Sequence, residues 1–209
     1  MAKHRANVYF DGFNFYHGIC QTKRKELLWI DLVSLIKKQI GRREQLYKIK
    51  YFTTPPLGDE SKIARHEIWE KVLESLSHPI EIYRGRFNKE TIVCKKCKRT
   101  FSKNREKWTD ISIATHLIFD SFLDDYEIAY IVSGDSDYMP AITMIKEQFP
   151  EKKIKMLFPP KRAHWDYKPI VDYTKCLTLN DLYLHILPDH FICPDGTIIH
   201  KPKNWRKLT

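Results

Sequence analysis

The sequence predicts an α/β protein with a mostly parallel β-sheet covered by helices on both faces. Short runs rich in β-branched and aromatic residues alternate with longer segments that have the periodicity of amphipathic helices. That alternation is typical of folds in which consecutive strands run in the same direction. The segment EIAYIVSG (127–134) is apolar through its centre, as expected of a parallel strand buried on both faces. A chain of 209 residues is long enough for one such domain with a sizeable core.

The first half of the chain is predicted to contain three strands and two helices. NVYFDG (7–12) is the first strand. The segment 30–40 has apolar residues at helical spacing, and YKIKYFTT (47–54) follows it as the second strand. A helix over 61–76 precedes the third strand, IEIYRGRF (80–87).

The second half continues the same alternation. DISIATHLIFDSFL (110–123) is a helix for which Thr109 is a suitable N-cap. The fourth strand, EIAYIVSG, leads into a helix that starts at about Met139, and KIKMLF (153–158) is the fifth strand. A last strand and helix are predicted within 175–187.

The composition indicates a folded protein that attracts polyanions. Lys and Arg number 36 against 26 Asp and Glu, which gives a formal net charge of +10. Nucleic acid is therefore the leading class of partner. Aromatic residues make up 13% of the chain and glycines number seven, which argues against a disordered protein.

The sequence also bears on where the protein works. The N-terminal segment has no long apolar region followed by small residues, so no export signal is expected. No stretch approaches the ~20 apolar residues that cross a bilayer, so we expect no membrane association. Five cysteines, an odd number, do not suggest a disulfide framework. The expected compartment is the cytoplasm.

Four aspartates are candidates for one site: Asp11, Asp110, Asp135 and Asp137. Asp11 ends the first predicted strand, Asp135 and Asp137 lie just beyond the fourth, and Asp110 lies in the first turn of a helix, where the helix dipole favours an anion. Ligands bind beyond the carboxyl ends of the strands in open parallel sheets, and the acids would converge if the first and fourth strands were neighbours. Two like charges ~4 Å apart repel by ~4 kcal/mol at an effective dielectric of 20, so such a cluster needs protons or a cation. Mg²⁺ or Mn²⁺ suits oxygen ligands best.

Each of these side chains also has a purely structural interpretation. Asp135 and Asp137 could stabilise a turn and a helix N-terminus, and Asp110 could be an ordinary first-turn acid. Asn14 could bond Asp11, bind substrate or stabilise the loop. The functional hypothesis depends on all four acids together.

Three segments, VYFDGFNFYHG, EKWTDISIATHLIFDSF and YIVSGDSDYMPAI, resemble the NYN domain in their order and spacing. This family is a branch of the PIN-like nucleases that includes the LabA-like bacterial proteins. The resemblance covers residues 5–180, and the segment 181–209 would form a C-terminal helix and tail packed on the same domain. It implies a Rossmann-like three-layer α/β/α fold with acids that bind Mg²⁺ or Mn²⁺. The matching site residues are Asp11, Asn14, Asp110, Asp135 and Asp137, with Lys107 upstream of Asp110.

The chain departs from many relatives in an insert at about 87–107. Cys94 and Cys97 form a CxxC pair, and seven of the fourteen residues from Cys94 to Lys107 are Lys or Arg. The pair could be free thiols, a disulfide, or half of a structural Zn²⁺ site completed by other residues, such as Cys176 or Cys193, or by a second subunit. A homodimer sharing one zinc per two chains is the expectation if zinc is bound.

Basic residues of this insert are candidates for phosphate contacts, although a hairpin that merely faces solvent is the alternative. They are Lys95, Lys96, Lys98, Arg99 and Lys107.

Three aromatic residues flank the acids. Phe13, Trp108 and Tyr138 could stack on unpaired bases or pack in the core. Ser133 and Thr109 offer hydroxyl groups nearby, with turn and cap roles as the alternative.

The resulting hypothesis is a metal-dependent ribonuclease that hydrolyses phosphodiester bonds in single-stranded RNA. The alternative is an RNA-binding or regulatory module that keeps the acids without turnover.

Overall fold

The computed structural model describes residues 3–93 and 95–206, and for 88–90 and 101–107 it describes the backbone. The chain up to Arg84 forms three strands and three α-helices, so the predicted third strand (80–87) ends three residues earlier than expected. These are β1 (His4–Asp11), α1 (Gly12–Gln21), α2 (Leu32–Gln39), β2 (Glu44–Thr53), α3 (Glu60–Glu74) and β3 (Ile80–Arg84).

The remainder begins with a hairpin and ends with a small second hairpin. Its elements are β4 (Arg86–Val93), β5 (Thr100–Lys107), α4 (Thr109–Phe122), β6 (Ile128–Val132), α5 (Met139–Gln148), β7 (Lys153–Phe158), β8 (Tyr173–Cys176), α6 (Leu179–Tyr183), β9 (His190–Ile192) and β10 (Ile198–His200).

Six strands form one sheet in the order β3-β2-β1-β6-β7-β8, and every neighbouring pair is parallel. The predicted α/β class is thereby confirmed. Strands β1 and β6 are neighbours at the centre, with Phe10 paired to Val132 at their carboxyl ends. This is the adjacency that the convergence of the acids requires.

Two hydrophobic cores sandwich the sheet, as a three-layer α/β/α arrangement demands. Side chains of successive strand residues point to opposite faces. Val8 and Phe10 of β1 therefore join the core beneath α1, α2 and α3, whereas Tyr9 joins the core beneath α4 and α5. Because both faces of the strands are buried, β6 can be apolar throughout.

Buried polar contacts fix α4 against the sheet. Lys50 of β2 pairs with Asp120 of α4 at 2.7 Å, and both side chains are buried. The Tyr9 hydroxyl donates to the same carboxylate at 2.6 Å. Each charge has partners, which offsets much of the cost of burying it. The position of α4, and with it the position of Asp110 at its start, is thus tied to β1 and β2.

The structure corrects one predicted helix terminus. Thr109 was expected to cap α4, but the capping position is Trp108, which has a left-handed backbone with φ 85° and makes no side-chain cap bond. Thr109 is instead the first helical residue, and its hydroxyl lies 3.0 Å from the Thr54 hydroxyl at the end of β2.

Two further elements were not predicted. Helix α1 follows β1 directly, and the Asp11 side chain caps it by accepting from the Asn14 N–H at 2.9 Å. The pair β9–β10 turns at Pro194, Asp195 and Gly196, with Gly196 at φ 85°.

The C-terminal segment packs on the core beneath α1–α3. Trp205 is buried there, with its ring centroid 6.3 Å from those of Trp29 and Trp69. The Trp29 indole N–H donates to the Pro188 carbonyl at 2.8 Å. None of the helices described is long and apolar enough to cross a membrane.

Candidate active site at the carboxyl edge of the sheet

Asp11 is the centre of the candidate site. It is the last residue of β1, its side chain is buried, and it accepts three hydrogen bonds. The Asn14 N–H donates to Oδ1 at 2.9 Å, while the Ser133 and Tyr138 hydroxyls each donate to Oδ2 at 2.8 Å. Its orientation is therefore fixed by three elements at once.

Tyr138 connects Asp11 to Asp110. Its hydroxyl is fully buried, 2.8 Å from Asp11 Oδ2 and 3.0 Å from Asp110 Oδ1. A phenol carries one proton and can donate to one carboxylate at a time. The two acids, which come from β1 and α4, therefore compete for a single donor.

Burial raises the pKa of Asp11 to about 6. The hydrogen bonds from Asn14, Tyr138 and Ser133 pull the pKa down, and the charge of Asp110 pushes it up. Burial dominates because the ionised form loses most of its hydration. Near neutral pH the site thus holds a buried carboxylate that is costly to ionise without a cation.

Asn14 and Ser133 tie together the loops that follow β1 and β6. The Asn14 side-chain carbonyl accepts from the Gly134 N–H at 3.1 Å, and Ser133 Oγ accepts from the Asp135 N–H at 3.0 Å. A Cβ added at Gly134 would lie 1.6 Å from the Arg162 carbonyl oxygen, so this loop is pressed against the segment after β7. These contacts set the separation of the loops that carry Asp11 and Asp135.

Asp135 and Asp137 lie in the turn that follows β6. Asp135 is half-buried and accepts from the Asp137 N–H at 3.1 Å, which caps the short helical turn Ser136–Tyr138. Asp137 is exposed. The structural alternative considered for Asp135, stabilising a turn, is therefore present in the structure.

The four acids do not form a ready-made metal cluster. Within the described residues, no three Asp, Glu, His or Cys side chains are gathered closely enough to hold an ion together. The contacts join Asp11 to Asp110 through Tyr138 and join the Asp135 backbone to Asp11 through Ser133. The donor set nevertheless fits a hard divalent cation, because it consists of carboxylate oxygens and two of the acids share one proton donor.

The three flanking aromatic residues have different environments. Phe13 is 40% exposed, with its ring centroid 4.3 Å from that of His17. Trp108 is 50% exposed, but the Arg86 guanidinium lies 3.8 Å from the centroid of its ring. Tyr138 is fully buried, so of the two roles considered for it, packing in the core is the one that the structure shows. Its bridging role was not anticipated, and only its position after the acids could have suggested it.

The basic insert forms the hairpin β4–β5, with Arg86 opposite Lys107 and Val93 opposite Thr100. Lys95, Lys96, Lys98 and Arg99 are exposed at its tip. Cys97 is exposed and free, Cys176 is half-buried and Cys193 is buried. Cys94 and the Lys107 side chain lie outside the described residues.

Two pockets flank the acids, and the sequence did not indicate either. A pocket of about 330 Å³ adjoins Asp11, with Lys62 and Arg65 of α3 in its lining. A more polar one of about 310 Å³ includes Asp135, Lys161, Arg162 and His164. Each pocket has Lys and Arg side chains in its lining together with residues of the acidic site or their neighbours in the chain.

Comparisons with known proteins agree with this architecture. The family model described as NYN domain matches residues 5–169. The protein 6-hydroxy-3-succinoylpyridine 3-monooxygenase HspA of Pseudomonas putida (strain DSM 28022 / S16) is 27% identical over 176 residues, which are 68% of this chain and 55% of that protein. The chain thus spans about half the length of this relative.

A crystal structure of a protein of unknown function from Vibrio parahaemolyticus RIMD 2210633 is similar with a TM-score of 0.56. The match covers 85% of this chain and 95% of that one at 14% identity, so it supports the fold alone.

Proposed function

The chain belongs to the NYN domain family of PIN-like nucleases, and on that basis we propose that it hydrolyses phosphodiester bonds in single-stranded RNA with Mg²⁺ or Mn²⁺. The observation that carries the proposal is the link between Asp11 and Asp110 through the buried Tyr138 hydroxyl. Two acids from distant parts of the chain meet at the carboxyl edge of the sheet, where ligands bind in such folds.

Asp11, Asp110 and Asp135 would hold the cation or cations, with Asp137 supporting them. When bound, Mg²⁺ or Mn²⁺ supplies Lewis-acid stabilisation of the charge that develops on the phosphoryl oxygens. Asn14 and Ser133 keep the Asp11 carboxylate in one orientation, and the bonds they make to the loop after β6 hold both strand ends in place.

The flanking cations would bind the phosphates on either side of the cleaved bond. Lys62 and Arg65 belong to one pocket, and Lys161 and Arg162 belong to the other. This placement favours a chain that crosses the carboxyl edge of the sheet, with the acids between two positively charged regions.

The test is a cleavage assay with end-labelled single-stranded RNA in Mn²⁺, in Mg²⁺ and in EDTA. We expect cleavage with either cation and none in EDTA. Asp135→Asn should lose cleavage and keep the fold, because the amide preserves the size of a half-buried side chain. Binding without cleavage under every condition would instead support an RNA-binding module.

A separate prediction concerns thermal stability. Mn²⁺ or Mg²⁺ should raise the Tm of the chain, since a cation that binds the folded state stabilises it by mass action. At a concentration of 100 times the Kd the gain is about 2.7 kcal/mol. Scanning calorimetry at several cation concentrations measures it, and an equal rise in an Asp11→Asn/Asp135→Asn variant would show that the ion binds elsewhere.

The basic tip of the hairpin gives another prediction. Replacing Lys95, Lys96, Lys98 and Arg99 by Gln should weaken RNA binding regardless of sequence. For single strands, each lost phosphate contact should reduce the slope of log K against log salt by about 0.7. Cleavage at saturating RNA should change little, because these side chains are not part of the acidic site.

A matched control removes the same number of exposed cations at the opposite edge of the sheet. Lys37 and Lys38 lie in the last turn of α2, and Arg42 and Arg43 lie between α2 and the start of β2. Replacing these four residues by Gln changes the net charge as much as replacing the four at the hairpin tip. A difference between the salt slopes of the two variants must therefore come from phosphate contacts at the hairpin. Equal slopes in both would show that the RNA does not reach the hairpin.

A further inference from the structure

The pocket beside Asp11 lies against both ends of the acidic site. Gly12 and Phe13, which follow Asp11 directly, are part of its lining. Thr54 lines it as well, and the Thr54 hydroxyl is 3.0 Å from that of Thr109, the neighbour of Asp110. The pocket lining therefore includes the residue next to Asp11, and it approaches Asp110 through the contact between Thr54 and Thr109.

The lining is dominated by aromatic rings. Trp69 and Trp205 are buried, and their ring centroids are 6.3 Å apart in an edge-to-face arrangement. Phe13 and Tyr16 of α1 are 40% and 38% exposed, so these rings keep surface to offer to a ligand. Flat aromatic groups bind such surfaces by stacking. The volume of about 330 Å³ is at the lower end of the roughly 300–1,000 Å³ typical of small-ligand pockets.

Polar groups are few and specific in kind. The Tyr51 hydroxyl accepts from the Trp69 indole at 3.1 Å and lines the pocket, as does the His66 imidazole. Such groups can donate to or accept from the edge of a heterocycle. The Tyr51 hydroxyl still has its own proton to donate, and a ring with nitrogen or oxygen atoms could accept it where a hydrocarbon could not. His66 lies 3.2 Å from Glu70, so its imidazole is already held at one side of the pocket.

Two cations complete the lining. Lys62 and Arg65 lie three residues apart on α3, which places them on the same side of that helix. Lys62 has Asp59 at 3.6 Å, and the Arg65 guanidinium contacts the Ser61 hydroxyl. Lys62 is largely exposed, so its ion pair is weak and can be exchanged for a phosphate.

We propose that this pocket binds one nucleobase of the single-stranded RNA, adjacent to the phosphate at the acids, with Lys62 and Arg65 on the neighbouring phosphate. The inference deepens the proposed nuclease function and rests on it for the nature of the substrate. It assigns substrate recognition to a stacked base. A duplex, whose bases are paired and stacked on each other, could not supply that base without unpairing it.

The test measures binding of a short RNA in EDTA, where we expect it to stay intact, and scans one base-free position along it. In the parent chain, removing the base at one position should weaken binding by about 5- to 150-fold, and removal elsewhere should matter less. Phe13→Ala and Tyr16→Ala should each weaken binding of the complete RNA and diminish this positional difference. Phe13→Tyr, which keeps an aromatic ring, should retain it.

Tyr47→Ala is the matched control, because Tyr47 is 43% exposed and lies near the amino end of β2, away from the acids. It should bind every RNA as the parent does. Equal losses at all base-free positions, or an unchanged positional difference in both Phe13→Ala and Tyr16→Ala, would overturn the inference.

Two further outcomes separate this inference from the nuclease proposal. If the parent cleaves RNA but no position is sensitive to base removal, the pocket assignment fails and the nuclease proposal stands. If a nucleoside 5′-monophosphate binds and quenches tryptophan fluorescence, with loss of binding in Phe13→Ala, while RNA is never cleaved, the pocket stands and the nuclease proposal fails.

Discussion

Asp11→Asn is expected to reduce RNA cleavage by about 100-fold or more at saturating Mn²⁺. Asp11 accepts three hydrogen bonds in the site, and it is linked to both Asp110 and the loop of Asp135. An amide has nearly the same size and can still accept from the Asn14 N–H, so α1 should keep its cap. The loss would therefore reflect the missing charge. Single-turnover cleavage with excess enzyme measures it.

The same variant should be more stable than the parent at high pH without divalent cations. The pKa of Asp11 is about 6 in the folded chain and 3.8 in the unfolded one, so the folded state binds the proton more tightly. Protonated Asp11 therefore stabilises the folded chain fully below about pH 4, and this stabilisation is lost as the pH rises to about 6. The difference between the two pKa values corresponds to about 3 kcal/mol, which the parent loses from its free energy of unfolding when Asp11 ionises. The Asp11→Asn variant does not lose it, because an amide cannot ionise.

Asp31→Asn is the matched control for both measurements. Asp31 caps α2 as Asp11 caps α1, and it accepts from the Ser34 N–H at the same 2.9 Å. The Asp31→Asn substitution makes the same chemical change at a helix start away from the acids, so RNA cleavage should be unchanged. Chemical denaturation in EDTA between pH 4 and pH 8 gives the stability difference. A pH-independent difference for Asp11→Asn would contradict the raised pKa.

The sheet was predictable because its strands have a simple signature. KIKMLF coincides with β7, and the predicted strand EIAYIVSG (127–134) contains β6. Burial of β6 on both faces accounts for its continuous apolar centre. Helix α1 was missed because GFNFYHGICQ contains two glycines and several aromatic residues, which are weak helix formers. Its start depends on the Asp11 cap and its stability on packing, and neither is visible as periodicity.

The positions of the acids could be inferred from strand ends, but their contacts could not. Tyr138 is one aromatic residue among 27 Phe, Tyr and Trp in the sequence, and only the fold reveals that its hydroxyl lies between Asp11 and Asp110. Likewise, Lys62 and Arg65 precede Asp110 by more than 40 residues in the chain but line a pocket beside the site. Long-range neighbours of this kind depend on how helices pack on the sheet, which local patterns do not specify.

Tyr138→Phe is expected to lower both stability and cleavage while leaving every acid in place. The substitution removes the only side-chain group that bridges Asp11 and Asp110 among the described residues. Loss of a buried hydroxyl bonded to charged acceptors costs about 1–3 kcal/mol in EDTA. Since that hydrogen bond lowers the pKa of Asp11, its loss should raise the pKa further and extend the pH-dependent loss of stability above pH 6. Cleavage should fall by about 10–100-fold, as for partners that orient metal ligands.

Tyr126→Phe separates this effect from the general cost of deleting a buried hydroxyl. Tyr126 is fully buried in the same core, and its hydroxyl contacts the Ser121 hydroxyl away from the acids. The Tyr126→Phe variant should be less stable than the parent but should cleave RNA as fast per folded molecule. Asp11→Asn combined with Tyr138→Phe then measures the coupling in a double-mutant cycle. In Asp11→Asn the amide can donate to the phenol, which donates to Asp110, so both groups are satisfied and the cost of removing the hydroxyl should differ from that in the parent. Strict additivity at pH 8 in EDTA would show that the two acids do not compete for the tyrosine proton.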